Sequence, residues 1–102
     1  MATNDFTGRF NRIPEEKRKG LYDATIEKIS IHTVLIFLDK VKKILLKLKL
    51  DRLPGSFYWV DGAMLFLHWL NFYLSFWSYQ NIYGISHATA NRVVNFFISK
   101  VN

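Results

Sequence analysis

The chain has 102 residues, 14 lysines and arginines against 8 acidic residues, and a formal net charge of +6. Its length suits one small domain and excludes a two-domain enzyme with separate cofactor and substrate domains. Hydrophobic residues make up 50% of the chain, too many for wholesale disorder, and there is no cysteine. The composition therefore excludes a disulfide scaffold, a thiolate metal site and a cysteine nucleophile.

Charged and aromatic residues are divided between the two halves of the chain. Residues 1–52 carry 12 of the 14 basic and 7 of the 8 acidic side chains, whereas residues 53–102 carry 13 of the 17 aromatic ones. The 30 residues between Asp61 and Arg92 contain no Asp, Glu, Lys or Arg. An account of function must explain both the basic first half and the nearly uncharged, aromatic second half.

The sequence of the first half predicts a polar tail followed by a helical region. We expect residues 1–20 to form a flexible polar tail, because Gly8 and Pro14 interrupt any periodicity and no apolar signal-peptide core is present. A helical domain is expected over residues 21–102. Its first helical region covers residues 21–50, and Gly20 and Ser30 are the expected helix boundaries or interruptions. The apolar residues recur there at steps of three and four and form one stripe of Ile26, Ile29, Val34, Leu38, Val41, Leu45 and Leu48.

Lysines share another face of this region. They are Lys40, Lys43 and Lys47, with Lys42 and Lys49 to the sides. Residues 46–50 alternate with period two, so a short strand is the alternative to helix there. We favour helix because no breaker interrupts the preceding pattern, and we expect a turn over residues 51–56.

Three helices are predicted in the second half. Asp61 is expected to cap a helix whose residues 63–72 are apolar nearly all round, and that helix should be central to the core. Ser75 should cap a short helix over 76–83 that ends at Gly84, and Ser86 should cap a last helix that ends near residue 101. The apolar face of the last helix comprises Ala90, Val93, Val94, Phe97, Ile98 and Val101. The predicted fold class is all-α, a small bundle of four or five helices.

The last two helices have the spacing of a helix-turn-helix over residues 75–101. Gly84 supplies the turn and Ile85 fills the gap between the helices, while Ala90 and Val93 pack back on the first helix. The apolar residues of that first helix are Tyr79, Ile82 and Tyr83. This arrangement leaves the N-terminal turns of the second helix free to enter a DNA major groove.

Residues 62–98 also resemble the DNA-binding region of Harbinger-type and insertion-sequence transposases of the DDE superfamily. The matching residues are Leu67-His68-Trp69-Leu70, Ser75-Phe76, Ile82-Tyr83-Gly84-Ile85-Ser86, Thr89 and Arg92-Val93-Val94. Four positions depart from the family pattern. Gln80 replaces a small alanine at the helix crossing, Ala90 a branched apolar residue, Trp77 an arginine and Tyr73 a glycine.

The resemblance implies a DNA-docking module rather than an enzyme. The family's RNase H-like catalytic domain, with its metal-binding Asp and Glu residues, follows this region, and we expect it to be absent from a truncated protein of this kind. The implied partners are double-stranded DNA and, through dimerisation, a second copy or a full-length transposase-like protein. The expected location is the nucleus in a eukaryote, and the cytoplasm or nucleoid otherwise.

Candidate DNA contacts lie on the last helix and on the lysine face. Asn can bind adenine, Arg can bind guanine and Ala can touch a thymine methyl group, whereas Ser and Thr bind phosphate. The candidates on the last helix are Ser86, His87, Ala88, Thr89, Asn91, Arg92 and Asn95. Lys40, Lys43 and Lys47 could add non-specific attraction to phosphate. The alternative for each residue is an ordinary solvated or capping role.

The sequence offers no catalytic or metal-binding constellation, so we expect no cofactor. His32, His68 and His87 lack ligand spacing, and His68 is expected in the core or on a helix face. The acidic residues are scattered singly and the glycines are isolated, which argues against a carboxylate pair or a phosphate-binding loop. The three tryptophans, at positions 59, 69 and 77, are expected in the core.

Two other functions remain open at this point. Residues 57–77 approach the roughly 20 residues that span a bilayer, and lysines precede them, although Asp61, His68 and Asn71 interrupt the segment. A membrane protein with one span is therefore an alternative that we do not favour. A protein-interaction module, with the aromatic surface covered by a partner or a second copy, is the other alternative.

Overall fold

The computed structural model describes residues 13–50, 53–54 and 57–101, with only the backbone of residue 101. These ranges contain five helices and one isolated antiparallel bridge between Leu53 and Phe57. The helices are α1 (Glu15–Lys28), α2 (Ile31–Leu48), α3 (Trp59–Phe72), α4 (Phe76–Tyr83) and α5 (His87–Val101). The predicted all-α bundle is confirmed.

Helix α3 lies at the centre of the bundle, as its apolar sequence predicts. All eight residues from 61 to 68 are buried, and α3 packs against α1, α2 and α5. Gly62 allows the segment before α3 to approach closely, because a Cβ at this position would overlap the Leu53 side chain. The turn predicted over 51–56 is described only at residues 53 and 54, and its other four residues lie outside the described ranges.

Helix α1 begins earlier than the sequence suggests. It starts at Glu15 rather than Leu21, and the Pro14 carbonyl accepts hydrogen bonds from the Lys17 and Arg18 amides, both at 2.8 Å. Pro14 occupies the N-cap position, where its missing amide hydrogen removes no hydrogen bond of the helix. The carboxylates of Glu15 and Glu16 lie in the first turn, where they interact favourably with the positive end of the helix dipole. The part of the predicted tail that precedes residue 13 lies outside the described residues.

Helix α2 begins after an interruption at Ser30, as predicted. The Ser30 hydroxyl accepts a hydrogen bond from the Thr33 amide at 3.2 Å, which caps the helix. The helix continues to Leu48, so the strand alternative over 46–50 is wrong. Within α2, the core residues of the predicted stripe are Val34, Val41 and Leu45. Leu48 is exposed, contrary to that prediction.

Asp61 is a buried ion-pair partner and not the predicted helix cap. Tyr58 occupies the N-cap position of α3, three residues before the predicted cap, so that Asp61 falls inside the first turn. Its Oδ1 accepts a hydrogen bond from the Tyr22 hydroxyl and lies 3.2 Å from Arg18 Nε. Burial and the hydrogen bond to Asp61 raise the pKa of Tyr22. The cluster ties α1 to α3.

The segment 57–77 does not form one continuous helix. Helix α3 ends at Phe72, Tyr73 adopts the left-handed backbone conformation with φ of 55°, and α4 begins at Phe76. Within the described ranges, we find no helix with the length and apolar character needed to cross a membrane.

Candidate nucleic-acid interface

Helix α4 begins and ends at the residues that the sequence predicts. The Ser75 hydroxyl accepts a hydrogen bond from the Ser78 amide at 3.2 Å and caps the helix. Gly84 ends it with a φ of 71°, which a residue without Cβ adopts at little cost. Its amide donates to the Gln80 carbonyl at 3.2 Å. Three residues then separate α4 from α5, which begins at His87.

The turn between α4 and α5 rests against the start of α1. A Cβ at Gly84 would lie 3.3 Å from Pro14 Cγ, and the Lys17 ammonium donates to the Ile82 carbonyl at 3.3 Å. Helix α1 also packs along α4. The turn is therefore held by contacts from outside the α4–α5 unit, which we define as residues 76–101.

The inner face of the α4–α5 unit largely follows the predicted pattern. Ile85 is buried between the helices, as expected. Tyr79, Ala90, Val93, Val94 and Phe97 are also buried. The predicted apolar role of Ile82 is wrong, since half of this side chain is exposed, and Ile98 also faces solvent. The side chain of Val101 lies outside the described residues.

A buried histidine joins α3 to α4 behind this face. His68 Nδ1 lies 2.7 Å from the Tyr79 hydroxyl and Nε2 lies 3.2 Å from the Tyr83 hydroxyl. Burial lowers the pKa of His68 to about 4, so the ring is neutral near pH 7. One ring nitrogen of a neutral imidazole donates a hydrogen bond and the other accepts one. The two tyrosine hydroxyls can serve as the partners of both nitrogens, because a hydroxyl can donate or accept. The expectation of a core histidine is confirmed, but the sequence did not predict its partners.

The outer face of α5 brings most of its candidate DNA contacts together. Asn91, Arg92 and Asn95 are exposed on α5, and Ser86, which directly precedes the helix, is exposed as well; His87, Ala88 and Thr89 are half-buried. The Asn95 amide nitrogen donates to the Asn91 carbonyl at 2.9 Å and also contacts the Asn91 side-chain oxygen. The Ser86 carbonyl accepts from the Ala90 amide at 2.9 Å at the start of the helix.

The candidate lysines lie on a different helix from these residues. Lys40, Lys43 and Lys47 are exposed on α2, and Lys43 pairs with Asp39 at 3.1 Å. Helix α2 packs on α3, and its Phe37 ring touches Phe97 of α5 with 6.1 Å between ring centroids. The lysines and the outer face of α5 therefore belong to two helices that meet through Phe37 and Phe97.

A ring stack between α4 and the start of α5 was missed by sequence reasoning. The His87 ring stacks on Trp77, with 3.6 Å between centroids and 18° between planes, and Trp77 is 57% exposed. The core position predicted for Trp77 is therefore wrong. Gln80 is also exposed, and its Oε1 accepts from the His87 amide at 3.0 Å and from Nδ1 at 2.9 Å. The glutamine thus lies outside the helix crossing and satisfies the first amide of α5.

These hydrogen bonds define the state of the His87 ring. An amide oxygen can only accept, so Nδ1 carries the proton and, in the neutral ring, Nε2 is left as an acceptor.

Downstream of Asp61 the sequence contains no carboxylate side chain, so Arg92 and Lys100 are the charged side chains of α5. In the described ranges no group of three His, Asp or Glu side chains could hold a metal ion.

Comparison with known proteins found no matching family model, no matching curated protein and no matching solved structure.

Proposed function

We propose that the α4–α5 unit is a DNA-binding helix-turn-helix and that α5 enters the major groove. The observation that carries this proposal is the outer face of α5, where Asn91, Arg92 and Asn95 are exposed together on a helix whose opposite face is buried. Exposed Asn and Arg side chains on a rigid helix are the groups that read base edges. The absence of carboxylates from this part of the sequence keeps the approach of phosphate free of like-charge repulsion.

Each candidate on α5 has a distinct role in the proposal. Arg92 pairs with guanine O6 and N7, and Asn91 pairs with adenine, which requires it to release its contact with Asn95. Ala88 contacts a thymine methyl group, and Ser86 and Thr89 bind phosphate near the start of the helix. The Trp77–His87 stack fixes the His87 ring beside this face.

The lysines of α2 supply a second and weaker contribution. Lys40, Lys43 and Lys47 raise the local concentration of DNA through non-specific attraction to phosphate, an effect that falls with salt. Together these parts describe a module that docks on double-stranded DNA without cutting it. The resemblance to the DNA-binding region of DDE-superfamily transposases supports this function, and we propose that origin for the module.

Fluorescence anisotropy on labelled random-sequence duplex DNA, measured over a salt series, tests the proposal. The logarithm of the affinity should fall linearly as log salt rises, and the Asn91→Ala/Arg92→Ala double variant should bind at least tenfold more weakly. The matched control is Lys100→Ala, which removes the same charge from the far end of α5 and should change affinity less than threefold. Absence of binding at low salt, or equal binding by the double variant, would contradict the proposal.

A further inference from the structure

The outer side of α2 carries an unusual amount of exposed apolar surface. Leu46 is 67% exposed, Leu35 56% and Ile31 50%, although all three belong to one 18-residue helix. They lie at steps of four and eleven residues, which places them on one face of the helix. Helix α2 contacts α3 through another face, which holds Val34, Val41 and Leu45.

This apolar face leads into a groove between the end of α2 and the start of α3. The groove is lined by Lys42, Leu45, Leu46, Leu50 and Trp59. Trp59 is half-buried and forms one wall, whereas Leu46 and Leu50 present 67% and 42% of their surface to solvent. A concave apolar site of this kind fits bulky side chains inserted from a partner.

The groove has a basic side. Lys42 belongs to its lining, and Lys49, which shares the helix face of Lys42, directly precedes the lining residue Leu50; Asp51, the next residue, lies outside the described ranges. The single carboxylate of α2, Asp39, is already paired with Lys43 at 3.1 Å. A second copy placed on this surface by two-fold symmetry would bring lysines against lysines, which disfavours self-association.

We propose that this groove binds an acidic amphipathic helix of a partner protein. The apolar side chains of that helix enter between Leu46, Leu50 and Trp59, and its carboxylates face Lys42 and Lys49. Helix-in-groove recognition combines these two contributions, apolar anchors for affinity and charge for orientation. The groove is lined by neither the residues of α5 nor Lys40, Lys43 and Lys47, so the proposal does not depend on DNA binding.

A synthetic helical peptide tests this proposal directly. The probe is a labelled 18-residue peptide with leucines along one face and glutamates on the other, titrated with the whole chain and followed by anisotropy. We expect saturable binding, and at least tenfold weaker binding by Leu46→Gln and by Lys42→Glu. Ile98→Gln and Lys100→Glu make the same changes at exposed positions of α5 and should alter binding less than twofold. Because Leu46 is mostly exposed, its variant should unfold at the wild-type temperature.

Two further peptides separate groove binding from simple charge attraction. A peptide with glutamines in place of its leucines keeps the charge, and one with lysines in place of its glutamates keeps the apolar face; neither should bind. Equal binding of the glutamine peptide, or no effect of Leu46→Gln, would overturn the proposal. Two other results would also overturn it: Leu46-dependent binding to phosphatidylserine vesicles without peptide binding, and a Leu46-dependent dimer in sedimentation.

Discussion

Arg18 of α1 and Asp61 of α3 form an ion pair inside the bundle, with 3.2 Å between Nε and Oδ1. The Asp61 side chain is fully buried, whereas Arg18 keeps 21% of its side chain exposed. The Tyr22 hydroxyl donates to the same carboxylate oxygen. This cluster fixes α1 on the central helix, and α1 in turn supports the turn between α4 and α5.

Loss of the Asp61 charge should therefore destabilise the whole fold. We expect Asp61→Asn to lower the free energy of unfolding by about 3 kcal/mol, because Arg18 loses its buried partner and keeps only the exposed pair with Glu15 at 3.3 Å. Asp39→Asn breaks the exposed pair with Lys43 and should cost about 0.5 kcal/mol or less. Urea unfolding of both variants measures the difference, and equal effects would contradict a structural role for the buried pair.

Substitution by alanine should have opposite effects on stability at two glycines. Gly84→Ala should destabilise the protein by about 1–2 kcal/mol, because alanine is strained at a φ of 71° and its Cβ would lie 3.3 Å from Pro14. Gly20→Ala should stabilise it by about 0.5–1 kcal/mol, since Gly20 lies inside α1 and its Cβ would meet only Tyr83 Cε1 at 3.9 Å. Thermal unfolding compares the two variants. A stabilising Gly84→Ala substitution would show that the turn differs from the one described.

His68 should make the stability depend on pH below neutrality. Its pKa is lowered from 6.5 to about 4 by burial, so between these values the unfolded chain binds a proton that the folded protein does not. The free energy of unfolding is then fully maintained above pH 6.5 and falls by about 1 kcal/mol per pH unit as the pH drops toward 4. NMR titration of the ring and urea unfolding between pH 4.5 and 7.5 measure both quantities.

A matched pair of variants isolates this contribution from that of the carboxylates. His68→Gln should lose the part of the pH dependence between pH 4.5 and 6.5, even though it lowers the stability at every pH. His32→Gln, at an exposed position, should keep the wild-type dependence. A protonated His68 ring at pH 6 in the folded protein would rule out the buried neutral state.

Gln80 should act as an external cap of α5. Gln80→Ala removes the acceptor of the His87 amide and should cost about 1 kcal/mol, with roughly fivefold faster hydrogen exchange of that amide. Asn81→Ala changes the neighbouring exposed residue of α4 and should leave the exchange of the His87 amide unchanged. Unchanged exchange in both variants would show that the glutamine does not hold the start of the helix.

The features that sequence predicts well are those that depend on neighbouring residues. The Ser75 cap and the left-handed Gly84 follow from local backbone chemistry, and the buried positions of α5 follow from helical periodicity. Helix α3 was predicted as central because its sequence is apolar on every side. The start of α1 was misplaced because Pro14 was interpreted as a breaker, although proline also precedes the first turn of a helix.

The features that were missed join residues from different helices. The partners of Asp61 come from α1, and those of His68 come from α4, so neither set follows from local spacing. Because α3 starts three residues earlier than predicted, the predicted cap Asp61 is instead a buried ion-pair partner. Trp77 was assigned to the core on its residue type alone, whereas it stacks on His87 at the surface.

Chemical-shift mapping on duplex DNA tests the central claim most directly. An amide spectrum of the isotope-labelled protein, titrated with a short random-sequence duplex at low salt, reports which residues meet the DNA. The account predicts that the largest shifts fall at Ser86, Ala88, Asn91, Arg92 and Asn95, with smaller ones along the lysines of α2. Shifts confined to α2, or no shifts at all, would contradict the claim that α5 is the DNA-contacting helix.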